Sequence, residues 1–222
     1  MACLLYCVTP NHAEPISGLT GIADLPVVAY EASNLRVYWS EIANPETLLE
    51  PPLRVPAEQK YRQVLKDVAT RATAIAFPFP AVVAGLEAID ALIAEHQSHY
   101  AGALERLADT VEYQLTATWA DEQSSDLATP VSGREYLKRR QESEARIAAI
   151  DSKLKSVTSG IVRDWRSRQD RRKHVWYALV GRDDRETFIA ALRSAGPSEG
   201  VRLRLGGPWP PTEFVECGGL TG

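Results

Sequence analysis

The stretch Val111–Trp119, VEYQLTATW, sets Val111, Tyr113, Leu115, Ala117 and Trp119 at alternate positions, with Glu112, Gln114, Thr116 and Thr118 between them. Successive side chains of a strand point to opposite faces, so this alternation predicts a strand with one apolar face on a core. Immediately upstream, the period changes. Leu86, Ile89, Ile93, His96, Tyr100, Ala103, Leu104 and Leu107 recur at three- and four-residue spacing, which predicts a helix over about 82–108. The switch near Ala108–Thr110 divides the chain into two halves.

Working back from it, Ala74–Phe79 reads as a short buried strand ended by Pro78 and Pro80. Tyr61, Val64, Leu65, Val68, Ala72 and Ile75 mark a helix that starts near Pro56, where a first-turn proline is tolerated. Asn44–Pro56 holds Pro45, Pro51, Pro52 and Pro56 and cannot join a ladder, so it reads as loop. Pro26–Tyr30 and Leu35–Ser40 form a hairpin, with Leu35, Val37 and Trp39 expected inward and Arg36, Tyr38 and Ser40 outward. Residues 2–8, ACLLYCV, form a buried strand, and Asn11–Leu25 a loop.

Working forward, Asp121–Pro130 is polar and reads as a surface loop. Ser132, with Glu135 three residues on, opens a helix by a capping-box pattern. Its stripe of Ile147, Ile150, Leu154, Val157, Ile161 and Trp165 predicts that it continues to about Arg168, with Gly160 as a weak point. Arg139, Arg140, Arg146 and Lys153 fall on the opposite face. His174–Val180, HVWYALV, is apolar on both faces and reads as a central strand. A helix capped at Asp183 or Asp184 runs to Ala195, and Val201, Leu203 and Leu205 alternate with Arg202 and Arg204 in a half-exposed strand. The tail Gly206–Pro211 is proline-rich and cannot be a central strand, yet Trp209 is too apolar to stay in water. An ordered, extended tail follows, with Trp209 at least partly buried against the C-terminal sheet and Phe214 returning the chain to it. The fold class is α+β in two domains, residues 1–109 and 110–222.

Composition bounds the function. With 222 residues, 45% hydrophobic and 24% charged, the chain can bury a sizeable core and is not a disordered one. No apolar run reaches the ~18 residues that span a bilayer, and MACLLYCVTP is too short for a secretory signal, so the expected place is the cytoplasm, without membrane contact. Three cysteines, Cys3, Cys7 and Cys217, fit a reducing compartment. Cys3 and Cys7 stand four residues apart on one strand and are expected to face the same core. The net charge of −4 argues against nucleic acid, but it is unevenly spread: Ser132–Lys173 holds 13 Lys and Arg against 6 Asp and Glu.

Catalytic and metal-binding patterns are missing from the sequence. His96 and His99 could share a helix face and ligate a metal, but His96 lies on the apolar stripe and the residues between are Gln97 and Ser98, not a zincin motif. Neither His12 nor His174 has a ligand partner nearby in sequence. Gly18-Leu19-Thr20-Gly21 lacks the Lys of a phosphate loop, and Pro208 removes an amide where Gly206-Gly207 would need one. There is no GxSxG elbow, and no base is evident for a cysteine nucleophile. The chain is therefore read as a non-enzyme without metal or cofactor. Arg163, Arg166, Arg168, Arg171, Arg172 and Lys173, with Trp165 and Trp176 nearby, read as a solvated helix end or as a basic helix for an acidic protein partner; nucleic acid is the alternative use.

Four motifs carry a resemblance. Gly207-Pro208-Trp209-Pro210-Pro211-x-x-Phe214, directly after an alternating strand, resembles the signature that closes the gas vesicle protein F/L family (GvpL/GvpF). Leu5-Tyr6-Cys7-Val8 is similar to that family's N-terminal strand, and Gly133-Arg134-Glu135-Tyr136-Leu137 to the GREYL motif that opens its long helix. The order of strands and helices between them agrees. The sequence departs from the family at Ala76–Pro80, which lacks the usual Arg and Gly, and at Thr212-Glu213. The resemblance implies an N-terminal α+β domain and a C-terminal modified ferredoxin-like domain with a long helix. It implies a gas vesicle accessory or assembly protein, a minor structural component or chaperone-like nucleator, that contacts the hydrophobic shell protein and other accessory proteins. Partner-binding residues would be Gly207, Pro208, Trp209, Pro210, Pro211, Phe214, Arg134, Glu135 and Tyr136. Other readings are an enzyme on the ferredoxin-like domain and a nucleic-acid adaptor that uses the basic helix.

Overall fold

From Cys3 to Thr9 every residue of the first strand is buried, which requires cover on both faces and both edges. The structure is a computed structural model that describes residues 1–119, 133–170, 173–195 and 201–215. By its internal contacts the chain divides into two units. The first comprises Met1–Glu112 and the closing segment from Gly207; the second is Tyr113–Gly206.

The first unit runs β1 (Ala2–Pro10), β2 (Val28–Ala32), β3 (Leu35–Ile42), α1 (Arg54–Arg71), β4 (Ile75–Val83) and α2 (Leu86–Arg106). Its sheet has the order β2-β3-β1-β4, with antiparallel neighbours throughout. Ser33 and Asn34 both take positive φ between the paired residues Ala32 and Leu35, the type I′ geometry that suits the twist of a two-residue hairpin. One helix covers each face of the sheet. Leu4 and Tyr6 pack with Tyr61, Val64, Leu65 and Val68 of α1. Cys3, Leu5 and Val8 pack with Ile89, Ile93, Tyr100 and Leu104 of α2. The β3 arm of the hairpin is therefore not half-exposed as the alternation predicts: Arg36, Tyr38 and Ser40 are buried too. Arg36 is satisfied there by the carbonyls of Ala13 and of Asn11, the latter at 2.7 Å, and by Glu31 at 3.0 Å.

A β-bulge corrects the expectation for the cysteines. The β1 register jumps from Leu5 to Cys7 against both neighbours, so Tyr6 is skipped and the inward phase moves by one residue. Cys3 and Cys7 consequently lie in opposite cores. Opposite the bulge, β4 passes from Ala76 to Ala81 without a register partner on β1. Pro78 and Pro80 fall in this gap, so they do not end the strand, which is an edge strand.

The second sheet is formed by β5 (Thr110–Trp119), β6 (Val162–Asp170), β7 (Lys173–Gly181) and β8 (Val201–Trp209), with α3 (Gly133–Val157) and α4 (Arg185–Ser194) between them in sequence. The order β-α-β-β-α-β with spatial order β6-β7-β5-β8 is the ferredoxin-like arrangement. α3 buries Ile150 and Leu154, half-buries Ile147 and Val157, and leaves Arg140, Arg146 and Lys153 in solvent; the Arg139 side chain and residues 121–130 lie outside the described residues. Asp151 accepts the Trp176 indole N–H at 3.0 Å, which ties α3 to β7. Phe188 of α4 is fully buried, its ring 5.0 Å from Tyr113 and 6.5 Å from Trp165.

The long helix stops eleven residues earlier than its stripe predicts. Gly160 takes φ 78, a left-handed conformation that ends the helix, and Ile161 and Val162 donate back to the Thr158 carbonyl. Beyond it the chain is β6, and Trp165 pairs with Ala178 of β7. Ile161 and Trp165 continue the helical stripe in sequence, but Ile161 falls in the Gly160 turn and a register shift separates Val162 from Asp164 in β6. Arg163, Arg166 and Arg168 therefore sit on an exposed edge strand and not on a helix end, and Arg168 stands over the Tyr177 ring at 5.3 Å.

Candidate functional site

The closing motif is built on the edge strand β8. The strand runs on through Gly206, Gly207 and Pro208 to Trp209, four residues past the expected end. An edge position accepts Pro208 because one side of the strand needs no ladder donor. Gly207 takes φ 125, which favours glycine. Pro210 and Pro211 are buried and Trp209 is half-buried. A 3₁₀ turn, Thr212–Phe214, follows; Thr212 N–H donates to the Pro210 carbonyl at 2.7 Å and Phe214 N–H to that of Pro211 at 3.1 Å.

This turn is held at the start of β5, a strand of the C-terminal sheet whose Glu112 groups with the first unit. The Glu213 N–H donates to the Glu112 carboxylate at 2.9 Å, Phe214 is buried, and Val215 packs on the core that contains Trp39 and Ile93. Glu112 is itself buried, although the alternation of its strand predicts an outward residue. Its carboxylate faces inward because it has the Glu213 amide to accept. Thr110–Glu112 and the segment from Gly207 thus group with the first unit, where the sequence reading set both with the second.

The other proposed contacts lie at the start of α3. Arg134 is exposed; the side chains of Gly133, Glu135 and Tyr136 lie outside the described residues. The structure describes no geometry that brings this motif to the tail. His96 and His99 are half-buried on α2, each edge-on to Tyr100 at 6.1 and 5.8 Å. Among the described residues no group of three His, Cys, Asp or Glu is placed to hold a metal ion. Among them also, no helix is long and apolar enough to cross a membrane.

The surface most suited to an apolar partner lies where the sequence reads only as loop. Pro45–Leu49 forms a 3₁₀ turn, and Pro51 and Pro52 keep the following residues out of any ladder. The segment therefore carries Leu48, Leu49, Leu53 and Val55 with no strand to bury them. Leu48 goes inward, while Leu49, Leu53 and Val55 are 51%, 52% and 62% exposed. Beside them opens a groove of about 510 Å³, lined by Ile22, Leu25, Ile42, Leu48, Leu53 and Ala57. Its rim charges neutralise each other, Lys60 meeting Asp24 at 3.1 Å. The signal available in the sequence was four apolar residues inside a proline-rich loop.

Over residues 2–216 the sequence matches the family described as gas vesicle synthesis protein GvpL/GvpF. Among the solved structures that share its fold are two of gas vesicle proteins. One is the gas vesicle protein GvpF from Microcystis aeruginosa, with a TM-score of 0.71 at 15% identity, covering 97% of this chain and 99% of that one. The other is GvpF from Anabaena sp. PCC7120, with a TM-score of 0.72 at 15% identity, covering 97% and 98%. No curated protein sequence matches the chain significantly.

Proposed function

The chain belongs to the gas vesicle synthesis protein GvpL/GvpF family, and from that premise we propose that it serves gas vesicle assembly by direct contact with the hydrophobic shell protein and with other accessory proteins. The place of action would be the vesicle within the cytoplasm, as a minor component of the vesicle or as a chaperone-like nucleator. The observation that carries this reading is the apolar groove of the first unit with Leu49, Leu53 and Val55 exposed beside it. Contiguous exposed apolar surface on a protein marks an interaction site, and a very apolar shell subunit needs such cover before it is incorporated.

In this reading Trp209 and Arg134 are the contacts within the two family motifs. Trp209 keeps part of its ring accessible, and Arg134 is exposed. Pro210, Pro211 and Phe214 are buried and would hold Trp209 in place. The test is a triple variant, Leu49→Ser, Leu53→Ser and Val55→Ser, in a host that carries the vesicle genes. Because all three side chains are exposed, melting should be unchanged. Capture of the shell protein and vesicle yield should both fall. A folded variant with unaltered capture and yield would overturn the reading.

A further inference from the structure

The second unit has an apolar groove of its own, about 300 Å³, among α3, α4 and the edge strand β8. Leu115 and Leu154 are its buried floor. Leu203 and Leu205 form the β8 wall; Leu205 is 42% exposed, so neither helix covers this end of the sheet. The charges among its described lining residues are of one sign. Lys153 and Arg193 line the groove and are exposed, and among the described residues no acidic one lines it. Among the described residues neither cation has an ion-pair partner, whereas Arg140 and Lys155 of the same helix α3 meet Glu144 at 2.9 Å and Asp151 at 2.8 Å.

We infer that this groove docks an amphipathic acidic helix of another protein, with aliphatic side chains in the groove and carboxylates against Lys153 and Arg193. Its volume is at the small end of the ~300–1,000 Å³ of ligand pockets, which suits two or three helix side chains better than a whole cofactor. Helix-in-groove recognition uses such anchors at i, i+3 and i+4. Two unpaired cations on the rim select the sign of the partner and orient it. A second copy of this chain is the competing occupant: among the described residues α2 and α4 turn their buried apolar residues to their own units, while Val55 of α1 and Leu137 of α3 are exposed. The inference concerns a different unit from the proposed shell contact and does not rest on it.

The test uses the full chain and two synthetic peptides of about 16 residues, long enough to sample helix in isolation. Both carry Leu at i, i+3, i+4 and i+7; one has Glu and the other Lys at the flanking positions. By fluorescence anisotropy the Glu peptide should bind about tenfold tighter than the Lys peptide, and added salt should narrow the difference. Lys153→Glu with Arg193→Glu, both at exposed positions, should reverse the preference, and Leu205→Asp should weaken both peptides. Circular dichroism confirms that each variant is folded; if Leu205→Asp is not, the charge-reversed variant decides alone. Equal binding of the two peptides, or a preference unmoved by charge reversal, overturns the inference. So does a self-associated chain whose dimer excludes the Glu peptide, since the groove then belongs to a second copy.

Discussion

The hydroxyl of Tyr61 lies 2.9 Å from the backbone carbonyl of Tyr6, the residue that the β1 bulge leaves without a register partner. The same hydroxyl is 2.7 Å from the carbonyl of Phe77, which falls in the matching gap of β4. One hydroxyl of α1 thus stands within reach of both sides of the irregularity, and its single proton is donated to one carbonyl at a time. The two tyrosine rings stack with centroids 5.2 Å apart, and burial pushes the Tyr61 phenol well above its usual range. Tyr61→Phe keeps the ring and removes the one donor, so it should cost about 1–3 kcal/mol through the loss of a buried carbonyl's partner. Urea unfolding should show a lower midpoint with an unchanged slope; an unchanged midpoint would mean that the bulge does not need the hydroxyl.

Glu112 should be worth more than its place on a surface-type alternation suggests. Glu112→Ala removes the acceptor of the Glu213 amide and leaves a gap at a buried site, for a loss of about 1.5–3 kcal/mol. Glu112→Gln retains an acceptor and should lose less. Amide exchange at Glu213 reads the contact directly and should accelerate in the Ala variant. Protection that survives in Glu112→Ala would show that the turn is held by Phe214 alone.

Two glycines should respond in opposite directions to alanine. A Cβ on Gly21 would run into the Tyr6 hydroxyl, which also accepts the Ile22 N–H at 3.2 Å and meets Ser40 at 3.2 Å. Gly21→Ala should therefore destabilise by about 1–3 kcal/mol. Gly102 is exposed within α2 and a Cβ there meets nothing, so Gly102→Ala should stabilise by about 0.5–1 kcal/mol through helix propensity. Thermal melts of the pair check both signs.

His174 makes the fold sensitive to acid. Its ring centroid is 4.3 Å from that of Trp176, its Nδ1 is buried without a hydrogen-bond partner among the described residues, and burial holds its folded value below 6.5, against a smaller opposite pull from Asp151. As pH falls below 6.5, the unfolded chain takes up this proton first. The stability is therefore complete above that pH and is lost progressively below it. His174→Phe should lack this part of the loss, so its stability relative to the parent should improve between pH 7 and about 5. A parent and variant with parallel pH profiles would contradict the assignment.

The α+β class and the alternation of strands with helices were legible because each element carries its own period. Val111–Trp119 reads as a strand and Leu86–Leu107 as a helix from local spacing alone, and both are so. The closing motif was equally legible, since a run of Gly, Pro and Trp restricts the backbone wherever it is placed. The apolar groove was not: Leu48, Leu49, Leu53 and Val55 have no period, and only the packed sheet and α1 decide which of them is left outside.

What the tertiary structure decided are the phases and the edges. Cys3 and Cys7 share a parity that predicts one core, but the skipped Tyr6, its carbonyl satisfied from α1, turns them to opposite sides. Ile161 and Trp165 extend the apolar stripe of α3 in sequence, but the left-handed Gly160 ends the helix and Trp165 pairs with Ala178 of β7 instead. Glu112 looks like a solvent residue until a backbone amide 101 positions away in sequence meets it. By itself the sequence determined which local backbone each segment prefers, since that depends on near neighbours. Which carbonyl, cation or apolar side chain finds a partner depends on residues far away in the chain, and only the folded protein brings those together.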